Sequence, residues 1–63
     1  MNLERAILVG GPKDGAKVSV NESSDLYRVE TADRRLAIYE RTVERRDSFQ
    51  LFVFTRWGKL PSK

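Results

Sequence analysis

Neither cysteine nor histidine occurs among the 63 residues. Without cysteine there is no disulfide and no thiolate metal site. Without histidine the chain lacks the usual general base near neutral pH and the commonest metal ligand. No Ser-His, Cys-His or His-rich metal constellation can therefore be assembled from this chain alone. The nine carboxylates could in principle supply an acid–base pair, but a core this small scarcely desolvates one enough to shift its pKa usefully. The composition argues against an enzyme, and no residue pattern suggests a cofactor. Long apolar runs are also missing: none approaches the roughly 18 residues of a membrane span. The N-terminal "MNLERAIL" carries no signal-peptide pattern. One small domain over residues 1–63, acting in the cytoplasm and without a membrane partner, is expected.

Glycine and proline are scarce, with four and two residues, and they concentrate in "VGGPKDGAK", Val9 to Lys17. Gly10 and Gly15 with a following lysine suggest a phosphate-binding loop, which would read G-x-x-x-x-G-K-[ST]. The spacing fails. Ala16 follows Gly15, the lysine arrives one place late as Lys17, and Val18 stands where a hydroxyl should hold Mg²⁺. Asp14 would add a negative charge among the phosphates. The loop should also open a helix, yet "AKVSVN" alternates apolar Ala16, Val18 and Val20 with polar Lys17, Ser19 and Asn21. That period of two is a strand with one buried face. Pro12 pre-sets φ for a turn, Asp14 can accept from nearby N–H groups, and Gly15 can adopt positive φ. A hairpin between strands near 4–10 and 16–21 is predicted, with no nucleotide bound.

Three further apolar runs follow. "DLYRVET", Asp25 to Thr31, alternates after the polar loop "NESSD", and "ADRR" is a turn without glycine. Arg35 to Arg46, "RLAIYERTVERR", reads both ways. Leu36, Tyr39 and Val43 would share a helix face, whereas Ile38, Tyr39, Thr42 and Val43 favour a strand ending in the hairpin loop "RRDS". The strand is preferred; the alternative is an α+β fold with a helix near 32–46. "SFQLFVFTRW", Ser48 to Trp57, is the strongest strand signal. One face carries Phe49, Leu51, Val53 and Trp57, and the other carries Phe52 and Phe54 with Gln50 and Arg56. A strand apolar on both faces needs cover on both. An all-β fold of four to five antiparallel strands, a small barrel or bent sheet, is expected. Its core should include Leu8, Val18, Val29, Tyr39, Leu51 and Val53, and its tail, residues 58–63, should fray.

Charge is uneven along the chain. Residues 1–33 hold four Lys/Arg against six Asp/Glu, and residues 34–63 hold eight against three, so −2 and +5 sum to the net +3. Asymmetry of this kind often marks an anionic partner. In the basic half, Tyr39, Arg41, Arg45, Arg46, Phe54, Arg56 and Trp57 are the candidate partner-binding residues. Two readings compete. Trp, Tyr and Arg are the usual anchors of protein interfaces, which favours a non-catalytic protein-binding module. Small β-barrels also bind single-stranded nucleic acid by stacking bases on aromatics. Glu40, Glu44 and Asp47 among the arginines would repel phosphates, so protein is the favoured target and nucleic acid the alternative. The two-faced last strand also allows a homodimer.

"LVGGPKDGAKVSV", followed by the tyrosine strand "YRVE" and a "YERT…FVF" hairpin, resembles many short uncharacterised proteins of tailed bacteriophages and prophages. These often begin with a strand, "GGPxDG" and a second strand of alternating valines. The likeness covers about the first twenty residues well and the remainder only in pattern. It implies a viral origin, an all-β fold and action in the bacterial cytoplasm, as an accessory factor binding a host or phage macromolecule. It is specific to the hairpin, so it transfers no functional residue.

Overall fold

The computed structural model describes residues 2–59. Five strands and one 3-10 turn follow in order: β1 (Leu3–Val9), the 3-10 turn (Gly11–Lys13), β2 (Lys17–Asn21), β3 (Leu26–Glu30), β4 (Leu36–Arg46) and β5 (Phe49–Gly58). The fold is all-β, and the ambiguous segment is a strand of 11 residues. β4 lies between β3 and β5, so both its edges find ladder partners that a lone helix could not supply. Gly58 still pairs, opposite Leu36. Lys59 follows outside any strand, and residues 60–63 of the expected frayed tail lie outside the described residues.

The strands form one sheet in the order β2-β1-β5-β4-β3. The pairs β1–β2, β3–β4 and β4–β5 are antiparallel, but β1 and β5 are parallel. The expectation of antiparallel strands throughout is corrected at that one ladder. Its cause is an odd strand number: when each strand reverses the last, the first and fifth point the same way. They meet because the sheet curls.

The curl follows from chain length. β2 and β3 are consecutive in sequence yet occupy opposite edges of the sheet. Flat, those edges would stand about 19 Å apart at about 4.8 Å per strand spacing. The Glu22 N–H still bonds to the Asn2 carbonyl at 3.1 Å, and the Arg41 N–H to the Asp25 carbonyl at 2.8 Å. Glu22 thus remains tied to β1 and Asp25 to β4, so only Ser23 and Ser24 bridge the two edges. A few residues span at most about 3.3–3.6 Å each, so the edges must bend toward one another. No ladder joins β2 to β3, and the sheet is bent, not closed into a barrel.

The curl encloses a single core on its inner face. Ala6, Leu8, Val20, Ala37, Tyr39 and Phe52 are buried there, with Ala16, Val18, Tyr27, Val29 and Phe54 packed against them. The expected core residues Leu8 and Tyr39 belong to this cluster, and Val18 and Val29 line it. Leu51 and Val53 lie on the opposite face of β5, because strand alternation turns Phe52 inward. Leu51 is nevertheless buried, hemmed in by neighbouring strands of a central position.

β4 and β5 are joined by Asp47 (φ 49°) and Ser48 (φ 72°), the two-residue turn with both central residues left-handed. The second of these positions favours glycine. Ser48→Gly relieves the roughly 1–2 kcal/mol cost of the left-handed conformation less the roughly 0.5–1 kcal/mol of chain entropy that glycine adds to the unfolded state. A gain of up to about 1 kcal/mol is therefore expected, read as a higher urea midpoint with an unchanged slope. A lower midpoint would show that the Ser48 side chain holds the turn.

Candidate functional site

The two ends of the curled sheet differ in chemistry. One is a polar plug. Glu4, on the inner face of β1, receives Arg41 Nη1 in a short ion pair and lies 3.9 Å from Arg45. Arg41 also donates through Nε to the Ser24 carbonyl at 2.9 Å, and through Nη2 to the carbonyls of Glu22 and Asn21 at 3.2 and 3.3 Å. It therefore ties the short β2–β3 connection to the barrel-like interior. Buried Gln50 donates to the carbonyls of Thr42 and Glu44 at 2.5 and 3.0 Å and accepts from Arg45 at 3.2 Å. These bonds fill a bulge in β4, where three residues, Thr42 to Glu44, face one on β5. The bulge throws Val43 into solvent, 98% exposed, which overrides the face that simple alternation gives it.

The opposite end is aromatic. Tyr39 donates its hydroxyl to the Gly10 carbonyl at 2.8 Å and accepts from the Lys13 N–H at 3.0 Å. The ring is fully buried, so the side chain pins the β1–β2 loop to the core. Gly11 lies directly under Phe54: a Cβ there would stand 2.7 Å from the ring and 2.9 Å from the Tyr39 hydroxyl, at a φ of +66°. Only glycine fits. Four of the loop N–H groups are spent internally, Gly10 on Asp14 Oδ1 at 2.6 Å, Lys13 on the Tyr39 hydroxyl, Gly15 on the Leu8 carbonyl and Ala16 on the Lys13 carbonyl. A phosphate cradle needs several of them free, and this loop is built as a hairpin.

Trp57 completes this end. Thr55 is an extra residue in β5: Ile38 pairs with Arg56 and Tyr39 with Phe54. The bulge reverses the alternation beyond it and brings Trp57 onto the Phe52–Phe54 face, not the Phe49–Leu51 face that an uninterrupted period of two predicts. Trp57 meets Phe54 edge-on with centroids 5.3 Å apart, and Phe54 meets Tyr39 edge-on at 5.7 Å. Arg35 stacks over the indole at 3.9 Å. Its guanidinium is tethered by Asp33 Oδ2 at 2.8 Å. Asp33 also accepts a short hydrogen bond from the Thr31 hydroxyl. That bond first, and the Arg35 contact after it, holds the Asp33 carboxyl below its ordinary pKa. Trp57 remains 40% exposed, a ring packed against two side chains and partly open.

The seven residues singled out from the sequence are not one surface. Tyr39 is core and Arg41 an internal clamp, so neither is free to meet a partner. Both are inward because β4 alternation places them beside Phe54 and Phe52 in the ladder. Arg45 belongs to the rim of the polar plug. Arg56 lies on the outer face, paired with Glu40 at 3.0 Å, and Arg46 is exposed there opposite Phe49. Arg41 and Arg45 share Glu4 inside the polar plug, and Phe54 and Trp57 come together at the aromatic end with Trp57 still partly exposed. Arg35 is the partner that sequence reading missed; no spacing rule joins it to Trp57, since the β4–β5 ladder and its bulge make the contact. No protein family, curated protein or solved structure matches the chain. Among the described residues no helix is long and apolar enough to cross a membrane.

Proposed function

We propose that this chain is a non-catalytic protein-binding module whose contact surface is the aromatic end: Trp57, Phe54 and Arg35 beside the Gly10–Pro12 loop. The observation that carries this reading is Trp57 itself, held between Phe54 and Arg35 yet 40% exposed. Tryptophan and arginine are the commonest interface anchors, and side chains already ordered lose little entropy on binding. Charge supports a protein target at this end. Arg35 is engaged there by Asp33, and the other carboxylate-paired arginines, Arg41, Arg45 and Arg56, lie away from it at the polar plug and on the outer face. With the origin implied by the phage-like opening, the partner would be a host or phage protein in the bacterial cytoplasm.

The test is capture from bacterial lysate followed by affinity measurement on the identified, purified partner. Trp57→Ala is expected to weaken binding by about 30-fold, the equivalent of about 2 kcal/mol, while the domain stays folded by circular dichroism. A partner bound equally by the Trp57→Ala protein would remove this surface from consideration. Self-association is the other outcome, read by sedimentation as a dimer that the same substitution dissolves.

A further inference from the structure

We infer that the outer face of the sheet carries a second site, built from Arg5, Lys17, Arg46 and Phe49, that binds a segment of single-stranded nucleic acid. It is separate from the aromatic end and does not rest on the protein-binding reading. A depression of about 260 Å³ is lined by Arg5, Lys17, Val18, Ser19 and Phe49. Arg5 lies 5.6 Å and Lys17 5.3 Å from the centroid of the Phe49 ring. The register explains the convergence. Ser19 pairs with Arg5 across β2–β1, and Ala6 pairs with Gln50 across β1–β5, which sets Arg5 beside Phe49. Arg46 faces Phe49 across β5–β4. One row across four strands therefore reads Ser19, Arg5, Phe49, Arg46, with Lys17 one step along β2.

Electrostatics gives the row its meaning. Among the described residues, no ion pair joins Arg5, Lys17 or Arg46 to a carboxylate. Lys13, Arg28, Arg34 and Lys59 have no such pair either; what distinguishes Arg5 and Lys17 is that they converge on one aromatic ring, with Arg46 opposite that ring's residue in the ladder. Like charges gathered without a counter-charge cost stability, and a local rule broken in this way points to a ligand. The complementary ligand is polyanionic. Phe49 adds a flat apolar surface between the cations, and aromatic rings flanked by cations bind single strands by stacking an unpaired base while the cations follow the phosphates. The ring contacts keep Arg5 and Lys17 gathered in the absence of ligand. An arriving strand draws the cations to its phosphates and leaves the ring face to a base. A duplex, whose bases are already stacked, cannot use Phe49 in this way.

Fluorescence anisotropy with a labelled oligothymidylate of about twelve nucleotides tests this on the full chain. Three cations on three phosphates give a single-strand salt slope near −2, so affinity should fall about 20-fold from about 50 to about 200 mM salt. The double variant Arg5→Ala/Lys17→Ala should retain only about a threefold salt effect over the same range. Phe49→Leu should weaken binding by about tenfold or more with the slope unchanged. Arg5 and Lys17 are exposed, so the double variant keeps its fold even if Phe49→Leu does not, and thermal melts check both. Absence of binding at low salt would overturn the site, as would an unaltered slope in Arg5→Ala/Lys17→Ala. Equal affinity for duplex, for a mononucleotide or for inorganic phosphate would overturn the single-strand assignment. Trp57→Ala should leave oligonucleotide binding intact, so failure here and failure of the protein-binding surface are read separately.

Discussion

Replacing Arg41 by alanine is expected to destabilise the domain by about 3–5 kcal/mol, enough to leave it largely unfolded at room temperature. A half-buried Glu4 would lose its principal counter-charge, and breaking one side of such a pair costs that much because the other charge stays desolvated. The carbonyls of Asn21, Glu22 and Ser24 would lose their donor as well. Those carbonyls belong to the short link between the two sheet edges, so the effect reaches the curl itself. A domain this size has only about 3–5 kcal/mol to lose. The control is Arg56→Ala, which also breaks an Arg–Glu pair, but one whose side chains are 60% and 45% exposed. Solvent screening limits that loss to about 1 kcal/mol or less. Urea titrations of the two variants decide the matter: similar midpoints would mean that Arg41 is not the clamp described. Arg41→Lys should fall between wild type and alanine, since one ammonium cannot reach acceptors on three sides.

Phe52→Ala is expected to cost about 3–5 kcal/mol, the largest loss from any one apolar side chain. Phe52 is fully buried beside Leu8 and carries the Arg41 guanidinium 5.0 Å above its ring. Its removal opens a cavity in a core made of few large residues, with no second layer to collapse into the space. Phe52→Leu should be markedly milder. Near-native melting of Phe52→Ala would show that the inner face of β5 is not the core. Leu51, one residue away, is the sharp comparison. It is buried on the other side of the strand, where the sheet has no covering layer, so Leu51→Ala leaves a smaller unfilled space and should cost less than Phe52→Ala.

Much of the architecture was legible along the chain. Period-two alternation marks the strands because a strand buries alternate residues whatever it pairs with, and the Gly10–Gly15 loop announces its turn through residues that tolerate positive φ. The missing histidine and cysteine narrow the chemistry with no reference to fold. Other features are properties of the curled sheet. The parallel β1–β5 ladder joins the two ends of the chain, and no local pattern encodes it; it arises only when a short β2–β3 link forces the sheet to curl. Two bulges then reset the faces of β4 and β5. One expels Val43, and the other brings Trp57 round to Phe54 and Arg35. Tyr39 and Arg41 illustrate the limit from the other side. Their residue types suit a binding surface as well as a core hydroxyl and a buried clamp, and only their neighbours across the ladder, Phe54 and Phe52, settle which they are. Arg5, Lys17 and Phe49 are likewise unremarkable in sequence and become one site through pairing across strands. What the amino-acid order determined was where the chain extends and turns, because those are local steric and hydrophobic preferences. Which face each side chain presents, and which charges are left without partners, was decided by tertiary structure, because both depend on contacts between residues far apart in the chain.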